Sequence, residues 1–110
     1  MDVNFTFGHE RLDCYKLALE VANWAELVAI RPARKHLRDQ LVRAADSVVA
    51  NIAEGSGKEP GAARRHHYGV ALGSAAEVCA ILDMVRPPDM STRRVQVRRV
   101  GAMLTKMSRL

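Results

Sequence analysis

The residues from 36 to 58, HLRDQLVRAADSVVANIAEGSGK, constrain the fold of this chain more than any other stretch. Apolar side chains recur there at steps of three and four, which places them on one side of a helix with 3.6 residues per turn. These side chains are Leu37, Leu41, Ala44, Ala45, Val48 and Ile52. Glycine readily adopts the left-handed backbone that closes a helix, so Gly55 and Gly57 predict its end. The stretch therefore predicts one long helix with a buried stripe.

A row of polar side chains lies beside this stripe on the same helix. Its members also follow one another at steps of three and four, and they are Gln40, Arg43, Ser47, Asn51, Glu54 and Lys58. Such a row must be solvated, paired with another helix or used in binding. Ser74 and Glu77, one turn apart on a later helical stretch, are suitable partners. We expect a hydrogen-bonded network in or beside the core, because half-satisfied buried polar groups are costly; a ligand site is the alternative.

Four helical stretches account for nearly the whole chain of 110 residues, which is the length of one domain. They span approximately residues 9–30, 33–56, 62–86 and 91–109, and the connections between them contain prolines, which do not continue helices. Ser91 or Thr92 is expected to cap the last helix. Short connections place successive helices antiparallel. The sequence therefore predicts a single all-α domain, 1–110, folded as an antiparallel up-down-up-down four-helix bundle.

The first helical stretch carries two apolar stripes where the edge helix of a monomeric bundle needs one. One stripe contains Leu12, Tyr15, Leu19 and Ala22, and the other contains Cys14, Leu17, Val21, Trp24 and Val28. We expect one stripe to pack in the bundle and the other to face another subunit, so the sequence predicts a homo-oligomer. Phe5 and Phe7, ahead of this helix, are expected to lie as a hydrophobic strap on the bundle or on a neighbour.

Composition indicates a soluble protein, with 48% hydrophobic and 26% charged residues. No stretch of 18 residues is free of charge, and the chain does not begin like a signal peptide, so we expect no membrane contact and a cytoplasmic location. Cys14 and Cys79 have no CxxC spacing, which favours buried reduced thiols over a disulfide or a zinc site.

The net charge of +5 is unevenly distributed along the chain. The first 30 residues hold five acidic and two basic side chains, whereas the last 20 hold six basic and none acidic. Basic residues cluster at the starts of the second and fourth helices, which fall at one end of an up-down-up-down bundle. They are Arg31, Arg34, Lys35 and Arg38, and Arg93, Arg94, Arg98 and Arg99. This pattern suits contacts to nucleic-acid phosphates, and such contacts do not depend on the base sequence. The alternative is that these arginines simply solvate the helix faces.

Catalytic, cofactor and metal sites have weaker support in the sequence. Residues 55–58, GSGK, resemble the end of a phosphate-binding loop, but Ile52 and Glu59 replace its glycine and its serine or threonine. His66 and His67 point about 100° apart on a helix, so we expect a solvated or interface pair without metal. No nucleophile has a base at recognisable spacing. We predict no enzyme and no cofactor; an enzyme using Glu54 and Glu77 would need one pocket lined by both.

Residues 43–58, RAADSVVANIAEGSGK, followed by VALGSAAE at 70–77, resemble the bacterial family of 23S rRNA intervening-sequence proteins. Residues 7–22 and 99–110 are similar to the first and last helices of that family. The matching motif positions are Arg43, Asn51, Glu54, Gly55, Ser74 and Glu77. The family usually has aromatic residues early in the third helix, where this chain has Arg64 and His67 and keeps only Tyr68.

The resemblance implies a four-helix bundle that assembles into a ring-shaped homopentamer, with a link to ribosomal RNA. Relatives by fold serve as accessory subunits of reverse transcriptases in diversity-generating elements. We therefore expect a non-enzymatic oligomer that binds RNA or DNA phosphates through its arginine-rich end. The alternative is a protein-binding scaffold or accessory subunit, for example of a reverse transcriptase, without a direct role at nucleic acid.

Overall fold

The computed structural model describes residues 4–109, and every regular element in that range is a helix. The four α-helices are α1 (Asp13–Leu27), α2 (Lys35–Ser56), α3 (Ala62–Val85) and α4 (Met90–Met107). Single 3-10 turns precede the first two, at Gly8–Arg11 and Pro32–Arg34. The prediction of an all-helical chain with four helices is confirmed.

The core is built from the stripes that the periodicity predicts. All six apolar residues of the α2 stripe are buried, as are Tyr68, Ala71, Ala75, Val78 and Leu82 on α3 and Val97, Val100 and Leu104 on α4. Five large aliphatic side chains are almost fully enclosed: Leu41, Ile52, Ile81, Leu82 and Leu104. Each such side chain stabilises the fold by roughly 1.5–3 kcal/mol relative to an exposed position. Within the described residues no charged or polar side chain is fully buried.

Two helix starts differ from the sequence prediction. The first helix begins at Asp13 instead of near residue 9, because Leu12 is extended with ψ 128° and separates α1 from the 3-10 turn. The prediction that Ser91 or Thr92 caps the last helix is wrong. Arg86 and Asp89 have positive φ values of 46° and 65°, and this tight turn lets α4 begin at Met90. No side chain caps it.

Side-chain contacts relate the helices in pairs. Cys14 Sγ lies 3.7 Å from Met107 Sδ, whereas Glu20 bonds to Gln96 further along α1 and earlier along α4. In the same way α2 meets α3 through Ser47 with Ser74 and, later in α2, through Ser56 with Tyr68. Residue numbers therefore rise along one helix of each pair while they fall along the other.

The segment before α1 runs over the surface of the molecule. The rings of Phe5 and Phe7 meet edge to face with centroids 5.0 Å apart, and Phe7 stacks on His9, which in turn contacts Tyr15. Both phenylalanines stay mostly exposed, at 65% and 62%. The strap therefore reaches α1 through His9, and its phenylalanines remain available to a neighbour.

Among the described helices, α3 has the length and apolar composition of a membrane span. One face of α3 packs into the core, from Tyr68 to Leu82. Core helices of soluble proteins meet the same criterion, so this property assigns no membrane role.

Gly55 has a different role from the one that the sequence suggests. The helix does not close through a left-handed glycine, because Gly57 has φ −82° and its N–H bonds to the carbonyls of Ala53 and Glu54. Gly55 is instead buried at the contact of α2 with α3. A Cβ atom there would lie 2.7 Å from two ring carbons of Tyr68, which is itself buried. Glycine is needed at this position for close approach.

Alanine substitutions distinguish this packing role from the general cost of glycine in a helix. Gly55→Ala should lower the free energy of unfolding by about 1–3 kcal/mol, because the buried Tyr68 ring must move. Gly73→Ala on α3 is the matched control, since a Cβ there meets nothing within 4 Å. Gly73→Ala should stabilise the single chain by about 0.5–1 kcal/mol. Urea unfolding measures both; equal effects would contradict the packing role.

Candidate functional site

A chain of hydrogen bonds joins α2 to α3, which we call the polar seam. Ser47 Oγ and Ser74 Oγ lie 2.8 Å apart. Asn51 Nδ2 donates to the carbonyl oxygen of Ser47 at 2.9 Å and to its Oγ at 3.2 Å. Asn51 Oδ1 accepts from His67 Nδ1 at 3.1 Å, and His67 Nε2 lies 3.4 Å from a Glu54 carboxylate oxygen. The seam thus connects five side chains across the interface between the two helices.

Four residues predicted for the network belong to the seam: Ser47, Asn51, Glu54 and Ser74. Gly55 contributes through the close approach of the helices. Arg43 and Glu77, also predicted for the network, are exposed in the single chain, and their side chains form no hydrogen bond or ion pair with a described residue. They line a polar groove of about 350 Å³ with Gln40, Ala44, Ser47 and Ser74. Water solvates such charges at little cost.

His67 is the member of the seam that sequence analysis misses. We expected a solvated or interface pair with His66, and the two rings do lie with centroids 5.4 Å apart. His66 is exposed, whereas His67 is half-buried. The close approach at Gly55 brings the start of α3 against α2, which places His67 within reach of Asn51. The sequence does contain a signal, since position 67 lies seven residues before Ser74, on the same face of α3.

Arg64 occupies one of the positions at which the resembled family has aromatic residues, and here it has a structural role. Its guanidinium donates to the carbonyl oxygen of Lys58 at 2.6 Å and to that of Gly55 at 3.2 Å. The last carbonyls of a helix lack partners within it, and a cation beside them also interacts favourably with the helix dipole. Arg64 therefore fastens the end of α2 to α3.

Removing the centre of the seam should destabilise the fold. Asn51→Ala deletes the bonds to Ser47 and His67, leaves part-buried polar groups without partners and should cost about 1–2 kcal/mol. Glu77→Ala is the matched control on the same interface and should stay within about 0.5 kcal/mol, because its carboxylate is exposed and unpaired. Thermal or urea unfolding gives both values. A neutral Asn51→Ala variant would show that the seam does not stabilise the fold.

Three of the eight basic residues predicted to bind nucleic acid are engaged within the fold. Arg38 donates to the carbonyls of Val28 at 2.7 Å and Glu26 at 2.5 Å, at the end of α1. Arg93 contacts Trp24 of α1, and Arg94 contacts Asp83 of α3. These two bonds give Arg38 a structural role at the end of α1, and a phosphate contact by Arg38 stays a prediction.

Arg93 and Arg94 attach α4 to α1 and α3. Arg93 lies over the Trp24 ring, 5.4 Å from its centroid, and Nη1 donates to Gln96 Oε1 at 2.9 Å. Arg94 Nε lies 3.2 Å from Asp83 Oδ1. This contact is an ion pair without the alignment of a hydrogen bond, since the Nε atoms of both arginines are buried and unbonded. Both arginines are half-buried.

The other five predicted basic residues form neither a hydrogen bond nor an ion pair through their side chains with any described residue. Four are exposed and Arg34 is half-buried; we call this set the free cations, and it comprises Arg31, Arg34, Lys35, Arg98 and Arg99. The connections that lead into α2 and α4 line two adjoining grooves which share Ala29 and Pro88. The two helices therefore start at the same end of the molecule.

The distribution of the free cations corrects the sequence prediction in one respect. Arg98 and Arg99 lie eight and nine residues after Met90, about 12–14 Å along the axis of α4 at 1.5 Å per residue. The cationic surface formed by the free cations thus extends from the shared end of the molecule along α4. Sequence analysis also misses Arg86, which is exposed at the shared end and has no partner among the described residues.

The remaining reactive groups do not form a recognisable catalytic or metal site. Burial raises the pKa of the Cys14 thiol, and burial likewise raises that of Cys79 although Arg94 and Arg98 act to lower it. Both thiols are therefore protonated at neutral pH and weakly nucleophilic. No group of three potential metal ligands occurs among residues 4–109. Glu77 lines the polar groove without Glu54.

The two classes of arginine should separate experimentally. Arg38→Ala removes two bonds to the carbonyls of α1 and should lower the free energy of unfolding by about 1 kcal/mol. Lys35→Ala, three residues earlier and exposed, should change it by less than about 0.5 kcal/mol. Circular dichroism during thermal unfolding measures the difference, and equal stabilities would contradict the structural role of Arg38.

Within residues 4–109, the fold and these sites define an all-helical protein. The family model of the 23S rRNA-intervening sequence protein matches residues 10–109. The match covers nearly the whole chain, and the chain belongs to this family. A search of curated proteins gave no match.

Proposed function

We propose that this chain is a non-enzymatic, oligomeric protein that binds the phosphates of RNA or DNA through its free cations together with Arg86. The observation that carries the proposal is the absence of acidic partners for these six side chains within the described residues, although acidic residues are present elsewhere. Unpaired cations at one end and along one side create a positive potential that attracts polyanions. The family name, which refers to 23S rRNA, favours RNA as the first ligand to test.

We further propose that the four helices form an antiparallel up-down-up-down bundle and that copies assemble into a ring, a homopentamer by resemblance. The opposed residue order of the α1–α4 and α2–α3 contacts supports the antiparallel arrangement. Apolar side chains left exposed on several helices support self-association, and they are Leu19, Leu27, Val70, Met84 and Val95. A ring would repeat the cationic surface of each chain, so that several subunits contact one nucleic acid.

The test is the salt dependence of binding to labelled structured RNA and to duplex DNA. The Lys35→Ala/Arg99→Ala variant should weaken binding and should reduce the slope of log affinity against log salt by about 0.9 for each duplex phosphate that the variant no longer neutralises. Lys16→Ala/Arg65→Ala is the matched control, because it removes the same charge from two exposed positions outside the cationic surface.

Equal slopes for the two double variants would show that net charge, and not the cationic surface, determines binding. If the unmodified oligomer holds neither ligand at physiological salt, the nucleic-acid proposal fails. The protein-binding scaffold would then be the better explanation of the exposed apolar side chains.

A further inference from the structure

A groove of about 590 Å³ opens where α1 ends and the α3–α4 connection begins. Its volume falls within the range of about 300–1,000 Å³ typical of small-molecule sites. Trp24 lines it half-buried, and Leu27 stands beside it with 86% of its surface exposed. Ala29 and Pro88 extend the apolar lining. We call it the Trp24 groove; it offers a flat apolar surface to a ligand.

Trp24 is not an isolated aromatic side chain in this groove. The Arg93 guanidinium lies 5.4 Å from the centroid of its ring, and the bond from Arg93 Nη1 to Gln96 holds that side chain in place. Unpaired nucleobases stack on aromatic rings and on guanidinium planes. The sequence has few aromatic residues that could stack on bases. Trp24, which lines the groove at the cationic end, is one of them.

The acidic residues of the groove indicate which part of a nucleotide it accepts. Glu20 and Asp89 both line it, and one Glu20 oxygen already accepts from Gln96 Nε2 at 3.0 Å. These carboxylates repel a phosphate, yet they accept hydrogen bonds from the exocyclic amino groups of bases. Asn23 adds a side-chain amide that can donate and accept. The groove therefore favours an uncharged base over the backbone.

A second groove with two arginines lies next to the Trp24 groove. The adjoining groove, of about 550 Å³, shares Ala29 and Pro88 with it and is lined by Arg31 and Arg86. Both arginines are exposed and form no ion pair with a described residue. Asp83 also lines this second groove, but its carboxylate is paired with Arg94. The acids of the Trp24 groove and the arginines of the second groove match the separation of base and phosphate within a nucleotide.

We propose that the Trp24 groove holds one unpaired nucleobase of a bound RNA strand while Arg31 and Arg86 contact the adjacent phosphates. This inference rests on the proposed function and refines it, because phosphate contacts alone would not distinguish paired from unpaired RNA. The chain then prefers RNA that presents a bulge, a loop or a single strand at the cationic end.

The experiment uses the full chain and two labelled RNAs, a single strand without self-complementarity and the blunt duplex that it forms with its complement. Fluorescence anisotropy of the label measures binding. Emission from Trp24, which is the one tryptophan of the sequence, reports contact with the groove. The Leu27→Ala variant removes an exposed apolar contact, and Leu19→Ala on the same helix, outside the groove, is its matched control.

The single strand should quench Trp24 emission and the duplex should leave it unchanged. Leu27→Ala should weaken binding of the single strand at least about fourfold, the effect expected when one methylene group is no longer covered by an apolar surface, and Leu19→Ala should not. If both RNAs bind without quenching and both variants bind alike, the base site is wrong while the proposed function stands. If neither RNA binds, the base site is wrong, and the proposed function fails as well if duplex DNA is not held in the salt titration.

Discussion

The close approach of α2 to α3 at Gly55 is the constraint on which the polar seam and the start of α3 depend. Because residue 55 has no Cβ atom, the Tyr68 ring packs directly on the α2 backbone. That contact fixes the position of α3 along α2. It therefore places His67 beside Asn51, and Arg64 beside the carbonyls at the end of α2. One missing methyl group thus positions apolar, polar and charged contacts together. A larger residue at 55 would separate the helices and weaken all three.

The arginines differ in whether they are bonded within the fold, and this difference is the second organising feature. Arg38 and Arg64 have the same structural role at the ends of α1 and α2. The guanidinium of each donates hydrogen bonds to backbone carbonyls that have no partner within the helix. Arg93 and Arg94 fasten α4 to its neighbours. The number of basic residues in the sequence is therefore larger than the number of basic side chains that are available to bind an anion. What remains is the smaller set of free cations with Arg86, whose side chains form no ion pair with a described residue, and the proposed function rests on that set.

The sequence predicts the helices and their buried stripes because helical periodicity is a local property. It does not predict Asp89 at the start of α4, since the cap depends on a turn with two left-handed residues. It also misses His67, whose partners lie on another helix, and it overestimates the freedom of Arg38, whose carbonyl partners belong to the end of α1. Family resemblance names most members of the seam, yet Arg43 and Glu77 face solvent in the single chain. Contacts between helices, and not the helices themselves, are what the sequence leaves undetermined.

The fold divides its arginines into an engaged group and a free group, and in the proposed function the free group contacts the nucleic acid. The most direct measurement is NMR of the arginine Nε–H resonances during titration with RNA. We expect the Nε–H resonances of Arg31, Arg98 and Arg99 to shift and broaden as RNA is added. Those of Arg38 and Arg64, which are held by backbone carbonyls, should not change. Uniform changes across all five, or changes confined to Arg38 and Arg64, would contradict this expectation.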